Sequence, residues 1–377
     1  VITGIGLVST LGASVEASWQ QLILGESSIK LHQPFVGFKP LPLALIGQQP
    51  AQLLELTQVV VTAALADAGL VTPMPDCGVV LGSSRSQQVI WEQLGQQLLA
   101  SKEFSADWLK TLPHMGAIAV AHQIGTTTAP VLAPVASCAT GIWAIAQAFE
   151  LIQTGRCQRA IAGAVEAPVT PLTLAGFNQM KVLAQTGAYP FDRRREGLVL
   201  GEGAAVFVLE SAEVAKHRSA TIYGQVLGFG LAADGYHISR PEPGGKSALV
   251  ATKQCLDRSN LSPSDINYIH AHGTATQIND RNEAQLIQQI FPHGVPVSST
   301  KGATGHTLGA SGVLGVAFCL MALKHQLLPP CVGLKEPEFE LDLVTTARKS
   351  EIRQVLCFSF GFGGQNTVLA IGKYFDD

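Results

Sequence analysis

The chain has 377 residues, of which 47% are hydrophobic and only 14% charged, and its formal net charge is −3. No charge run or low-complexity segment suggests a disordered tail, and nucleic acid is disfavoured as the main partner because such binding rests on a basic surface. The length suggests two domain-sized units, and the low charge predicts broad sheets covered by helices together with an oligomer interface.

The chain opens on Val1 without an initiator Met and runs straight into strand-like V1-I-T-G-I-G-L-V8, so a segment removed upstream would leave no trace here. Short runs rich in Val and Ile then alternate with helix-length stretches. Strands are predicted at 1–8, 77–82, 130–136, 159–165 and 203–209 in the first half. In the second half they are predicted at 221–230, 266–271, 295–299, 353–359 and 366–372. Continuous rather than alternating apolar runs suit sheets covered on both faces. The most apolar helical run, Gly312 to Leu323, is too short to cross a bilayer and reads as a core helix. Seven cysteines (Cys77, Cys138, Cys157, Cys255, Cys319, Cys331 and Cys357) show no C-x-x-C spacing. That odd count predicts neither a disulfide framework nor a structural zinc site, and it fits a reducing compartment such as the cytoplasm, with an organelle still open.

The two halves read as copies. Cys138-Ala139-Thr140-Gly141 aligns with Gly302-Ala303-Thr304-Gly305, and Ala148-Phe149-x-Leu151 with Ala317-Phe318-x-Leu320 after five more residues. Each copy reads as strand, tight turn and apolar helix, with the join near 211–220 and halves of 1–215 and 216–377. Strand–helix turns are the usual address for ligands in α/β folds. Cys138 is therefore expected at a helix N-terminus, where unpaired N–H groups lower a thiol's pKa. The Gly-dense loop F358-S-F-G-F-G-G364 allows backbone N–H groups to approach a substrate closely.

These stretches together resemble the elongating β-ketoacyl-(acyl-carrier-protein) synthases of the thiolase-like superfamily. The resemblance is carried by A136-S-C-A-T-G141, P190-F-D-R-R-R-E-G-L-V-L-G-E-G203, H272-G-T-A-T276 with Asp280 and Glu283, T300-K-G-A-T-G-H306 with L308-G-A-S-G312, and S359-F-G-F-G-G364. They stand in the family's order and cover nearly the whole chain. The resemblance implies an α/β, five-layered αβαβα sandwich of two duplicated halves, usually a homodimer, needing neither metal nor organic cofactor.

It also implies a Cys138-His272-His306 active site. Cys138 would carry an acyl chain taken from acyl-carrier protein. Malonyl-carrier would then lose CO2 and attack it, in fatty-acid or polyketide chain elongation. The backbone N–H groups of Cys138 and Phe362 would form the oxyanion hole, with Phe362 also gating the cysteine. Lys301 would set the local field and pair with Glu283, while Asp280 and Phe360 support the site. His270, Arg193, Arg194 and Arg195 are expected to be structural.

Arg85, in L81-G-S-S-R-S-Q87, departs from the family's glycine-richer turn near the far end of the acyl pocket. If it points inward, it disfavours a long saturated tail. Lys181 matches a carrier-contacting position, whereas A51-Q-L-L-E-L-T-Q-V-V60 carries no basic residue for docking. Two alternatives remain: a thiolase, which would carry a second cysteine in the C-terminal glycine loop, and a non-condensing chain-length subunit of a heterodimer, which usually lacks the nucleophile. Asn stands where His306 does in the three-residue starter synthases, which disfavours that type.

Overall fold

A computed structural model describes residues 1–101 and 106–375. All ten predicted strands form. In the first half these are β1 (Ile2–Ser9), β2 (Gly78–Gly82), β3 (Val131–Leu132), β4 (Arg159–Glu166) and β5 (Gly203–Glu210). The second half contributes β6 (Gln225–Ala233), β7 (Tyr268–His270), β8 (Pro296–Ser298), β9 (Gln354–Gly361) and β10 (Gln365–Gly372). The first sheet runs β1-β5-β4-β2-β3, and the second repeats that order as β6-β10-β9-β7-β8 before a short edge strand, Asp342–Leu343. In each sheet the first two pairings are antiparallel and the next two parallel. Identical order and direction make the two halves copies of one unit.

Five layers result. Helices α1 (Leu53–Asp67) and α2 (Met115–Ile124) cover the outer face of the first sheet, with Val60, Val61, Ala64 and Val120 against Val206 and Val208. Between the sheets lie α3 (Thr140–Gln153) and α6 (Ser311–His325), with Ile145, Ala148 and Phe318 in the largest core. Outside the second sheet are α4 (Lys246–Arg258) and α5 (Gln277–Ile290), which contribute Ala251, Cys255, Leu286 and Ile287. The central position of α6 explains its composition: every residue from Ser311 to Leu323 is buried. The 18-residue span Leu308–His325 is apolar enough to cross a membrane, but 89% of it is buried in this core.

The structure shifts the internal alignment. Gly302–Gly305 does not open the second central helix; it belongs to a separate helical turn, Lys301–Thr304. The 3-10 turn Ser137–Ala139 that leads into α3 has its counterpart in Leu308–Ala310, which leads into α6. The proof is a reciprocal contact. A Cβ on Gly141 would lie 2.8 Å from Val313 Cγ1, and one on Gly312 would lie 2.9 Å from Ile142 Cγ1. The A-T-G match at Gly302 is therefore a coincidence of composition, while the duplication itself is real.

Candidate active site

Cys138 sits in the 3-10 turn just ahead of α3, and the turn is held from three sides. Thr140 Oγ1 accepts from the Ala136 N–H at 2.9 Å and donates to the Ser137 carbonyl at 2.7 Å. Ser359 Oγ on β9 donates to the Cys138 carbonyl at 2.8 Å. Ser137 adopts φ = 50°, a left-handed conformation costing a non-glycine residue about 1 kcal/mol, which these bonds offset. Gly361 lies against the same turn, where a Cβ would come within 3.0 Å of the Cys138 nitrogen. Only glycine lets β9 run this close. The close approach also brings the Phe362 N–H into hydrogen-bonding reach of the Cys138 thiol.

His272 and His306 reach the thiol from the second half. His272 follows β7, and its backbone is anchored by α5. The Thr276 side chain caps that helix by accepting from the Asn279 N–H, and the spacing of Asp280 and Glu283 puts both carboxylates on its buried face. Glu283 accepts from the His272 and Gly273 N–H groups at 2.6 and 2.7 Å. Asp280 accepts from the Phe191 N–H at 2.8 Å. His306 Nδ1 shares a hydrogen bond with Ser311 Oγ at 2.8 Å. The two imidazoles meet edge to face with centroids 5.4 Å apart, and the Phe360 ring lies 5.9 Å from His272. The nearest ligand atoms of Cys138, His272 and His306 all fall within 4.8 Å of one another, and all three residues are buried.

Lys301 differs from expectation. Its Nζ donates to the His272 carbonyl and lies 3.4 Å from His272 Nδ1. No direct ion pair joins it to Glu283 among the described residues, and the two groups interact only through their charges at longer range. A protonated Lys301 beside Nδ1 would make that nitrogen the acceptor and hold the ring proton on Nε2.

Burial dominates the electrostatics and reverses the second expectation. The Cys138 thiol is pushed up to about 11, because desolvation outweighs the lowering by Lys301, Arg85 and the Phe362 N–H. Both histidines are held well below their usual value by burial, with the Lys301 charge acting in the same direction. At neutral pH the resting site is therefore a thiol between two neutral imidazoles. Since a raised thiol pKa leaves little thiolate at pH 7, alkylation of Cys138 by iodoacetamide should quicken about tenfold per pH unit between 7 and 9. A rate already flat above pH 7 in a mass-spectrometric time course would show a thiolate–imidazolium pair instead.

A cavity of about 260 Å³ connects these groups to solvent, lined by Cys138, His272, His306, Phe177, Phe360 and Phe362. Phe177 stacks on Phe362 at 5.9 Å, an aromatic partner that the sequence offers no pattern to reveal. Exposed Lys181 stands at the cavity, as does Arg240, which sequence reasoning did not single out. Half-buried Arg85 points inward: its guanidinium carbon lies 5.5 Å above the Phe177 ring, and its Nε is buried. His270 is occupied elsewhere, 3.1 Å from Thr300 Oγ1. Arg195 is buried against Glu338 and Phe339, and Arg194 pairs with Asp192, so their motif is structural. All seven cysteines are free and buried.

Two copied α/β halves enclosing five layers, with a cysteine turn of one half facing histidines of the other, are the architecture of the thiolase-like proteins. Residues 46–215 match the β-ketoacyl synthase N-terminal domain, and residues 223–335 match the C-terminal domain of the same family. A relative from Coxiella burnetii named 3-oxoacyl-(acyl-carrier-protein) synthase 2 is 34% identical, over 100% of this chain and 99% of its own. A β-ketoacyl synthase structure from Burkholderia phymatum superposes with a TM-score of 0.91 at 30% identity, covering 100% of this chain and 99% of that one. The structure AntDE:AntF, described as a type II PKS acyl-carrier protein in complex with its ketosynthase bound to the hexaketide, gives a TM-score of 0.92 at 25% identity, with 99% of both chains covered. The chain belongs to the β-ketoacyl synthase family, a family of acyltransferases.

Proposed function

We propose that the chain is a 3-oxoacyl-(acyl-carrier-protein) synthase that condenses an acyl group held on Cys138 with malonyl-carrier. The observation that carries this reading is the buried group of one thiol and two imidazoles within 4.8 Å, placed beside the Phe362 N–H. In the first step Cys138 Sγ attacks the acyl thioester and the carrier thiol leaves. The thiol proton passes through a neighbouring imidazole to the departing sulfur. The N–H groups of Cys138 and Phe362 receive the oxyanion. In the second step malonyl-carrier loses CO2. His272, with its Nε2 proton directed by Lys301, and His306 donate to the developing enolate oxygen. The enolate carbon then forms a bond to the acyl carbonyl, Cys138 leaves as thiolate, and its sulfur takes up one proton from solvent through a neighbouring imidazole.

The absence of a cysteine from G361-F-G-G-Q-N366 weighs against a thiolase, and the presence of Cys138 weighs against a silent partner subunit. Lys181 and the cavity mouth are assigned to an acidic carrier. The free edge of β3, with Val135 60% exposed beside it, is assigned to a second copy in a homodimer. Free buried thiols throughout suit the cytoplasm. The two halves are taken to meet at residues 215 and 216.

The test is intact-protein and peptide mass spectrometry after incubation with acyl-carrier proteins of graded chain length. An acyl adduct on the peptide bearing Cys138 is expected. Folded protein that takes no acyl group from any carrier would refute the condensing reading.

A further inference from the structure

Behind Phe177, the Cys138 cavity adjoins polar side chains that the chemistry above does not use. The turn after β2 brings Ser84 and Arg85 towards Glu166, the last residue of β4, and buried Gln87 follows two residues on. The Ser84 N–H donates to Glu166 Oε1. Gly309 fits so closely between them that a Cβ there would lie 2.5 Å from that oxygen and 3.2 Å from Ser84 Cβ. Glu166 is fully buried and Gln87 is 4% exposed. Four buried atoms here make no well-formed hydrogen bond: Arg85 Nε, Gln87 Nε2, Ser84 Oγ and Glu166 Oε2, although the Ser84 and Ser83 hydroxyls lie close enough to stabilise the Glu166 carboxylate. Buried polar groups are nearly always paired, so several orphans in one place call for a missing partner.

Their position says what that partner is. The Arg85 guanidinium lies over Phe177, and Phe177 stacks on Phe362 within the cavity of Cys138. Leu308, next to Gly309, packs in the same apolar cluster as Cys138 and Phe177. The charges of both Arg85 and Glu166 are felt by the thiol. None of the four residues lines the cavity itself, so an acyl chain from Cys138 reaches them only by passing Phe177.

We propose that Arg85, Gln87, Ser84 and Glu166 form the far wall of the acyl site and select acyl groups bearing a neutral oxygen, keto or hydroxyl, over saturated chains. The inference rests on the condensing reading above. Arg85 Nε and Gln87 Nε2 offer donors, Glu166 Oε2 an acceptor, and Ser84 Oγ either. A hydroxyl uses a donor and an acceptor together, and a carbonyl takes the donors. A methyl terminus satisfies none of them and seals the Arg85 charge from water.

The experiment measures kcat/KM for acylation of Cys138, with octanoyl-carrier competing against octanoyl-carrier bearing a hydroxyl or keto group near the distal end. Acetyl-carrier serves as the wild-type reference. Wild type is expected to favour the oxygenated chains by about tenfold or more. Arg85→Leu and Gln87→Leu, each checked for folding by its melting temperature, are expected to lower that ratio towards one or below. Using two variants keeps the test valid if either fails to fold. A wild-type preference for saturated octanoyl, or a ratio unchanged in the folded variants, would overturn the proposal and assign the orphan groups to contact with another chain. Acylation by acetyl-carrier alone would also overturn it while leaving the condensing reading intact. No acylation even by acetyl-carrier would bring down both.

Discussion

Cys138→Ala should abolish condensation, by about four orders of magnitude or more, while leaving slow decarboxylation of malonyl-carrier. The division follows from which half of the protein supplies each group. The thiol sits on the turn before α3, whereas His272 and His306 are held by Glu283 and Ser311 of the second half. Removing Sγ leaves those anchors intact. Alanine retains the backbone N–H at 138 and keeps the turn, because Thr140 and Ser359 bind only main-chain atoms of residues 136 to 138. Release of CO2 from labelled malonyl-carrier and formation of 3-oxoacyl product are to be followed in one reaction. Product formed at the wild-type rate would refute the nucleophile assignment.

His306→Ala should give the reverse pattern, with Cys138 still acylated and decarboxylation slowed about 100- to 1000-fold, the usual cost of losing one oxyanion donor. The backbone at 306 is fixed independently of the ring, since its N–H donates to the Val199 carbonyl at 2.6 Å. The imidazole meets Ser311 Oγ, which can turn to Thr307 Oγ1 at 3.2 Å when the ring is gone. Single-turnover acylation and CO2 release separate the two steps. Decarboxylation equal to wild type would remove His306 from the mechanism. Slowed acylation with normal decarboxylation would make it the general base alone.

Much of the site was legible from residue type and order. Ten strands appear where runs of Val and Ile predict them, because continuous apolar runs are what doubly covered sheets require. Cys138, His272, His306 and Phe362 come together as the motifs imply. Whatever depended on burial was less legible. The helix-terminal position of Cys138 argued for a lowered pKa, yet the thiol is enclosed and desolvation outweighs the local dipole. Lys301 and Glu283 carry opposite charges, and pairing was the natural expectation. The carboxylate instead anchors two main-chain N–H groups and couples to Lys301 only at longer range, a placement that no spacing reveals. The inward course of Arg85 was likewise undecidable until Phe177 was seen beneath it. The repeat misled in detail because a four-residue match in an Ala- and Gly-rich chain carries little information. Strand order, which no local stretch encodes, located the true correspondence.

The contact of Gly141 with Val313 and of Gly312 with Ile142 acts as a fulcrum between the two central helices. Among the described residues no polar bond crosses it, and its tightness comes from two missing methyl groups. A side chain added at either glycine would lever α3 and α6 apart at the ends that carry the thiol and the Ser311 brace of His306. The gap between sulfur and imidazole is thus gauged by two glycine hydrogen atoms that lie outside the site.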